Sequence, residues 1–225
     1  MEVAMKKHLT IAIDGPAGAG KSTIAKLIAQ KLDIIYLDTG AMYRAVALKV
    51  LESNIDPRDR EQIIKLLDTT DIQVVYKGKQ QIVLLDSKDV TDDIRTPEVS
   101  KAASYIAVIP EVRMKLVEIQ RKIAAEIPIV VDGRDIGTFV LPDATYKFFL
   151  TATVEERAKR RWKEMQEAGR LDTLENVMNE IKQRDLNDSS RSFAPLKKAE
   201  DAILIDTTHL TIEQVVNKIL DLIEQ

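Results

Sequence analysis

Residues Gly15-Pro16-Ala17-Gly18-Ala19-Gly20-Lys21-Ser22 carry the spacing G-x-x-x-x-G-K-S, and the chemistry of that spacing is anion capture. Backbone N–H groups of such a loop converge on phosphate oxygens, and the dipole of the helix that follows adds positive potential. Glycine is required where the backbone must turn through positive φ and let phosphate approach closely. Lys21 would place a cation between β- and γ-phosphates, and the Ser22 hydroxyl would ligate Mg²⁺. The context agrees: Leu9-Thr10-Ile11-Ala12-Ile13 reads as a buried strand, and Ile24, Leu27, Ile28 and Leu32 have helical spacing.

Phosphoryl transfer asks a protein mainly for positioning and positive charge, so arginines on loops are the next candidates. Asp38-Thr39-Gly40-Ala41-Met42-Tyr43-Arg44 reads as a capped helix whose first turns carry Arg44. Its plain alternative is a surface arginine. Gly133-Arg134-Asp135-Ile136-Gly137 sets a guanidinium beside a carboxylate between two glycines, which suggests a tight loop held against a ligand. Arg157, Arg160 and Arg161 share one predicted helix, with Arg157 and Arg161 at i, i+4; a solvated face with Glu155, Glu156 and Glu164 is the alternative. Arg184-Asp185-Leu186-Asn187-Asp188-Ser189-Ser190-Arg191 leaves a helix for a loop closed by Pro195, where the charges bind sugar and phosphate or pair with one another. His8 and His209 have no partner spacing and read as structural.

The elements that must position these residues follow from periodicity. Leu9–Ile13, Ile34–Leu37, Ile129–Val131, Lys147–Leu150 and Ile203–Ile205 read as core strands, each followed by helical patterning. This β-α alternation predicts a mainly parallel five-stranded sheet with helices on both faces. Asp14, Asp38 and Asp132 follow three of the runs, at the strand ends where such sheets keep their ligand crevice. Thr153-Val-Glu-Glu156 and Thr211-Ile-Glu-Gln214 read as capping boxes, and Thr96-Pro97 as a cap with proline at the first helical position. One segment departs from the alternation. Ile72–Tyr76 and Gln81–Leu85 predict an antiparallel hairpin, with a third short strand near Asp89–Thr91, as an inserted unit over roughly residues 68–96.

Bulk composition excludes several classes. The 225 residues are 45% hydrophobic and 31% charged, a soluble globular mix. No apolar run nears the roughly 20 residues of a membrane span, and Met1 to Lys7 lacks the apolar stretch of a secretory signal; Met5 is an alternative start. With no cysteine there is no disulfide framework or thiolate metal site, and a cytoplasmic enzyme is the simplest expectation. Lys+Arg 33 against Asp+Glu 36, with 4% aromatic residues, argues against a nucleic-acid partner. No G-x-S-x-G, H-E-x-x-H, kinase H-R-D loop or N-K-x-D is present. No strand clearly ends in an aspartate–glutamate pair of the Walker-B kind, so metal is expected on phosphates, Ser22 and water.

Together, Asp14-Gly-Pro-Ala-Gly-Ala-Gly-Lys-Ser-Thr23, Tyr36-Leu-Asp-Thr-Gly-Ala-Met-Tyr-Arg44, Asp132-Gly-Arg-Asp-Ile-Gly-Thr138 and Ser189-Ser-Arg191 resemble the bacterial cytidylate kinase family from about His8 to the C-terminus. The resemblance implies a P-loop, adenylate-kinase-like fold: a core over about 8–60, 108–152 and 171–225, a nucleoside-monophosphate-binding insert over about 61–107, and a short lid over about 153–170. It implies transfer of the ATP γ-phosphate to CMP or dCMP by a monomer. Carried over by motif, Gly15, Pro16, Ala17, Gly18, Ala19, Gly20, Lys21, Ser22 and Thr23, with Arg157 and Arg161, would hold ATP. Thr39, Arg44, Ser104, Arg113, Arg134, Asp135, Arg184, Asp188 and Arg191 would form the acceptor site, and Lys21, Arg134 and Arg191 would neutralise the migrating phosphoryl group. Rival readings are a kinase for another small acceptor and an ATP-binding sensor without turnover.

Overall fold

The computed structural model describes residues 9–224, so His8 and the choice between Met1 and Met5 lie outside the described residues. Five parallel strands form the central sheet: β1 (Thr10–Asp14), β2 (Ile35–Asp38), β6 (Ile129–Gly133), β7 (Tyr146–Thr151) and β8 (Ile203–Asp206). Their order is β2-β6-β1-β7-β8, with Ile11 paired to Val130 on one side and Tyr146 on the other. The predicted five-stranded sheet is therefore present. The chain leaves β1 towards β2 on one side and later crosses to β7 on the other, which puts the crevice at the C-terminal end of β1.

Period-two alternation decides what each face buries. Ile11, Ile13, Tyr36, Val130 and Phe148 pack with Ile24 and Ile28 of α1 (Lys21–Leu32). Val215 and Ile219 of the C-terminal helix Ile212–Ile223 join the same cluster. Ala12, Leu37, Ile129 and Val131 point the other way, against α2 (Thr39–Glu52) and the helices Pro97–Ile106 and Pro110–Glu126. Each fully buried aliphatic side chain contributes about 1.5–3 kcal/mol relative to exposure.

Between the second and third core strands comes the expected antiparallel unit, β3 (Ile72–Lys77), β4 (Gln80–Leu85) and β5 (Lys88–Asp89). Pairing runs out to Lys77 opposite Gln80, and Gly78 supplies the φ of 63° that the tight turn needs. The third strand is shorter and earlier than predicted. Asp89 accepts hydrogen bonds from the Thr91 amide and hydroxyl, and the Thr91 hydroxyl takes the Val83 amide in place of a backbone carbonyl, which ends the ladder. This sheet is not a detached appendage: Ile72, Val83, Leu85 and Val90 share one core with Met42, Leu37 and Val131. Gln81 exchanges two hydrogen bonds with the Asp38 backbone, 2.7 Å to its amide and 3.2 Å to its carbonyl.

Caps follow the sequence with one exception. Thr211 and Gln214 make the reciprocal box, and Thr96 caps the Val99 amide. Thr153 caps the Glu156 amide, but the Glu156 carboxylate pairs with Arg160 at 3.1 Å instead of turning back. Met42 is fully buried where the two sheets meet. Met42→Ala is therefore expected to lower stability by about 2–5 kcal/mol in one cooperative transition, measured by urea unfolding; melting of the small sheet ahead of the core would contradict the shared core.

Candidate active site

The loop between β1 and α1 is built by backbone geometry. Gly15, Gly18 and Gly20 adopt φ of 148°, 75° and 83°, and a β-carbon on Gly15 would meet the Leu150 carbonyl oxygen at 2.0 Å. Lys21, only 5% exposed, donates to the Pro16 carbonyl at 2.8 Å and so curls over the loop. Burial, then the neighbouring Arg134 charge, pushes its amine down to about 7, against the pull of Asp132, Asp188 and Asp14. Asp14 anchors the facing wall. Its carboxylate accepts the Ile136 and Gly137 amides, each at 2.8 Å, and holds the π-helical turn Ile136–Val140 that follows Asp135. Burial raises the Asp14 carboxyl to about 6 despite those bonds.

Asp132 ends β6 beside the loop. It accepts from the Ser22 hydroxyl at 3.0 Å and from Tyr36 at 2.6 Å, and its carbonyl takes the Thr39 hydroxyl at 2.7 Å. Burial, then Asp38, raises its carboxyl above the ordinary range. Ser22 and Asp132 are hard oxygen donors lining the same cleft, a set that suits Mg²⁺ completed by phosphate oxygens and water.

The cleft continues into a second compartment, within a total volume of about 1050 Å³. Adjacent Arg134 and Asp135 part company there. Arg134 pairs with Asp188 at 2.6 Å, whereas Asp135 sits between Arg113, at 2.5 Å, and Arg191, at 3.3 Å. Asp135 is 3% exposed and Arg113 1%. Arg113 also donates to the Ala107 carbonyl and lies over the Tyr43 ring. Yet its Nε and Nε2 of Gln120 are buried without a hydrogen-bond partner. Donors left unmatched in a cleft are expensive unless a ligand or water supplies acceptors. Burial and then Arg134 push Arg184 down to about 10, and Asp188 is held below its usual range by Arg134 and Arg191 against the effect of burial.

The cytidylate kinase family model matches residues 11–225. The chain belongs to the cytidylate kinase family. It is 58% identical over 216 residues to a cytidylate kinase of Caldicellulosiruptor saccharolyticus, covering 96% of each chain. With that of Clostridioides difficile it shares 52% identity over 213 residues, covering 95% of this chain and 97% of the other. Among solved structures, a shikimate kinase from Acinetobacter baumannii in complex with shikimate aligns over all of this chain and 97% of its own, with TM-score 0.50 and 16% identity; this likeness concerns the fold. As a cytidylate kinase family member the chain is an ATP-dependent nucleoside monophosphate kinase.

Most of the residues singled out from the sequence line the one cleft: Ala17 to Thr23, Thr39, Arg44, Ser104, Arg113, Arg134, Asp135, Arg161, Arg184, Asp188 and Arg191. Arg44 enters it paired with Asp38 at 2.9 Å. Gly15 and Pro16 lie behind the lining, as the start of the loop must. Arg157, read as an ATP ligand, is not part of the lining: it is 4% exposed and its guanidinium is spent on Ala17, Ala152 and Asp185. The helix carrying it, α6 (Val154–Glu167), packs against α7 (Leu174–Ser190) around Ala158, Val177 and Ile181.

Sequence reasoning missed four contributors. Asp132 was noted only as a strand end, and its place beside Ser22 depends on β6 pairing next to β1, 110 residues away in sequence. Gln120 lies two turns after Arg113 on one helix, a spacing that could have drawn attention to it. Arg170 also lines the cleft, just past α6. His209, read as structural, lines the cleft with Thr208 and Leu210; that loop is braced by Arg160, which donates to the Thr207 carbonyl at 2.6 Å. Among the described residues no helix is long and apolar enough to cross a membrane.

Burial and the Arg134 charge hold the Lys21 amine well below its ordinary range, and polyphosphate beside it favours the charged form. MgATP binding at pH 8 should therefore take up a proton, read by calorimetry in buffers of different ionisation enthalpy, and Lys21→Met should abolish the uptake. The same proton count in both proteins would contradict this environment for Lys21.

Proposed function

We propose that this kinase transfers the γ-phosphoryl group of ATP to CMP or dCMP, giving ADP and CDP or dCDP, by direct in-line displacement. The observation that carries the proposal is Asp135, buried in the second compartment between two guanidiniums and within the same cleft as the phosphate loop. Cytosine offers an amino donor at N4 beside acceptors at N3 and O2. A carboxylate and an arginine match that edge. Uracil would turn a carbonyl towards Asp135 and leave buried groups unpaired, the arrangement that discriminates strongly.

The roles of the residues follow from their places. Ala17 to Thr23 wrap the ATP phosphates, with Gly15 and Pro16 shaping the turn, and Arg161 reaches the donor side. Thr39, Arg44, Ser104, Arg113, Asp135, Arg184, Asp188 and Arg191 bind the acceptor. Lys21, Arg134 and Arg191 neutralise charge as an acceptor phosphate oxygen bonds to the γ-phosphorus and the bridging oxygen leaves with ADP. No general base is required, because the acceptor phosphate is already anionic at neutral pH. Ser22 and Asp132 would hold Mg²⁺, whose charge offsets that of the donor phosphates when bound.

Residues 61–107 would serve as the acceptor-side insert and 153–170 as a lid that excludes water from the transfer. Acidic balance and few aromatics favour free nucleotides over nucleic acid, the family resemblance favours a monomer, and the cysteine-free sequence fits a cytoplasmic enzyme. ADP formation from MgATP is measured with CMP, dCMP, UMP, AMP, GMP and dTMP offered separately and with no acceptor. Turnover should concentrate on CMP and dCMP, and Asp135→Asn should weaken CMP use about tenfold to a hundredfold with ATP use little changed. Turnover on another monophosphate would discard the cytosine pocket, and equal losses for both substrates would make Asp135 structural.

A further inference from the structure

Arg157 and Asp185 close a ring around one residue of the phosphate loop, Ala17. Arg157 Nη1 donates to the Ala17 carbonyl at 2.8 Å, and its Nη2 pairs with Asp185 Oδ2 at 2.7 Å. The Ala17 amide in turn donates to Asp185 Oδ1 at 3.4 Å. Nε of Arg157 is pinned to the Ala152 carbonyl, 3.0 Å away at the end of β7. Neither side chain lines the cleft. Ala17 lies between Pro16 and Gly18, with Gly15 and Gly18 both at positive φ, and the ring adds a constraint from outside the loop. A β-carbon on Gly18 would come within 3.1 Å of the Arg157 β-carbon, which shows how closely α6 presses on the loop.

Those two side chains come from the two helices that also deliver cleft arginines. Arg161 shares α6 with Arg157; Arg184 and Asp188 share α7 with Asp185, and Arg191 follows directly. The geometry points to the Arg157–Asp185 pair as a positioning device: it fixes the apex of the phosphate loop and ties it to the two helices that carry Arg161 on one and Arg184 and Asp188 on the other. The inference rests on the kinase reading above. Arg157 acts through Ala17, not by touching ATP. A lysine cannot replace it, because one ammonium cannot reproduce the planar fork that reaches Ala17, Asp185 and Ala152 together.

The test compares Arg157→Ala, Arg157→Lys, Asp185→Asn and the Arg157→Ala/Asp185→Asn double variant, each well below its own melting temperature. Steady-state kinetics for both substrates are combined with the MgATP dissociation constant from calorimetry. Arg157→Ala should lower kcat/KM for ATP about a hundredfold, while KM for CMP stays within about twofold. Arg157→Lys should recover little. Asp185→Asn should lose less, since its amide oxygen still accepts from Ala17, and the double variant should be no worse than Arg157→Ala, because the pair acts as a unit. Wild-type ATP parameters in the folded variants, equal losses for ATP and CMP, or additive losses in the double variant would each overturn the inference. If Arg157→Ala does not fold, Arg157→Lys and Asp185→Asn carry the same comparison. If the wild type fails to phosphorylate CMP, the kinase reading fails by itself, and MgATP affinity still judges the brace: a weakened affinity upholds it and an unchanged one overturns it.

Discussion

Mutual repulsion among cations crowded into one low-dielectric cleft is the constraint on which the rest of the structure depends. Lys21, Arg113, Arg134, Arg184 and Arg191 all line it, and burial first, then the charge of Arg134, depresses the pKa values of Lys21 and Arg184. Three carboxylates, Asp132 and Asp135 buried and Asp188 partly buried, make the arrangement tolerable. Asp132 offsets Lys21, Asp188 takes Arg134, and Asp135 is shared by Arg113 and Arg191. Such a cluster is a poor source of folding stability, since desolvation offsets most of the attraction between its pairs. It is well suited to two phosphate chains, whose arrival supplies the missing negative charge.

The scaffold answers that constraint with rigidity. The cluster is drawn from the loop after β1, the end of β6, the helix Pro110–Glu126 and the chain around residue 188, elements far apart in sequence. What holds them in register is ordinary packing: Ile11, Ile13 and Val130 on one face of the sheet, Leu37, Met42 and Val131 on the other. Asp14 connects the two halves of the site, because the carboxylate at the end of β1 captures the amides directly after Asp135. Gln81 does a similar service for the small sheet by bonding the backbone of Asp38, whose side chain both caps α2 and holds Arg44.

Local order was legible in the sequence, and long-range pairing was not. Short apolar runs located all five core strands, and the glycine spacing located the phosphate loop, because both are short-range features of the chain. The third strand of the small sheet was displaced because a side-chain event, Asp89 taking Thr91, ended it early. Arg134 and Asp135 are adjacent in sequence, yet each takes a partner at least 22 residues away. The helical spacing that grouped Arg157 with Arg161 was sound, but Arg157, in the first turn of α6, meets the loop backbone and is consumed there. Such outcomes are set by where the helix lands on the loop, and that is a property of the assembled sheet.

The central claim is that one cleft reads two nucleotides, with a cytosine edge answered by Asp135 and Arg113. Its most direct test is the affinity of two bisubstrate compounds, adenosine joined through a polyphosphate to cytidine and to uridine, by calorimetry at fixed Mg²⁺. The account predicts that the cytidine compound binds about a hundredfold tighter than its uridine counterpart, and tighter than ATP alone. Equal affinities for the two compounds, or no gain over ATP, would contradict it.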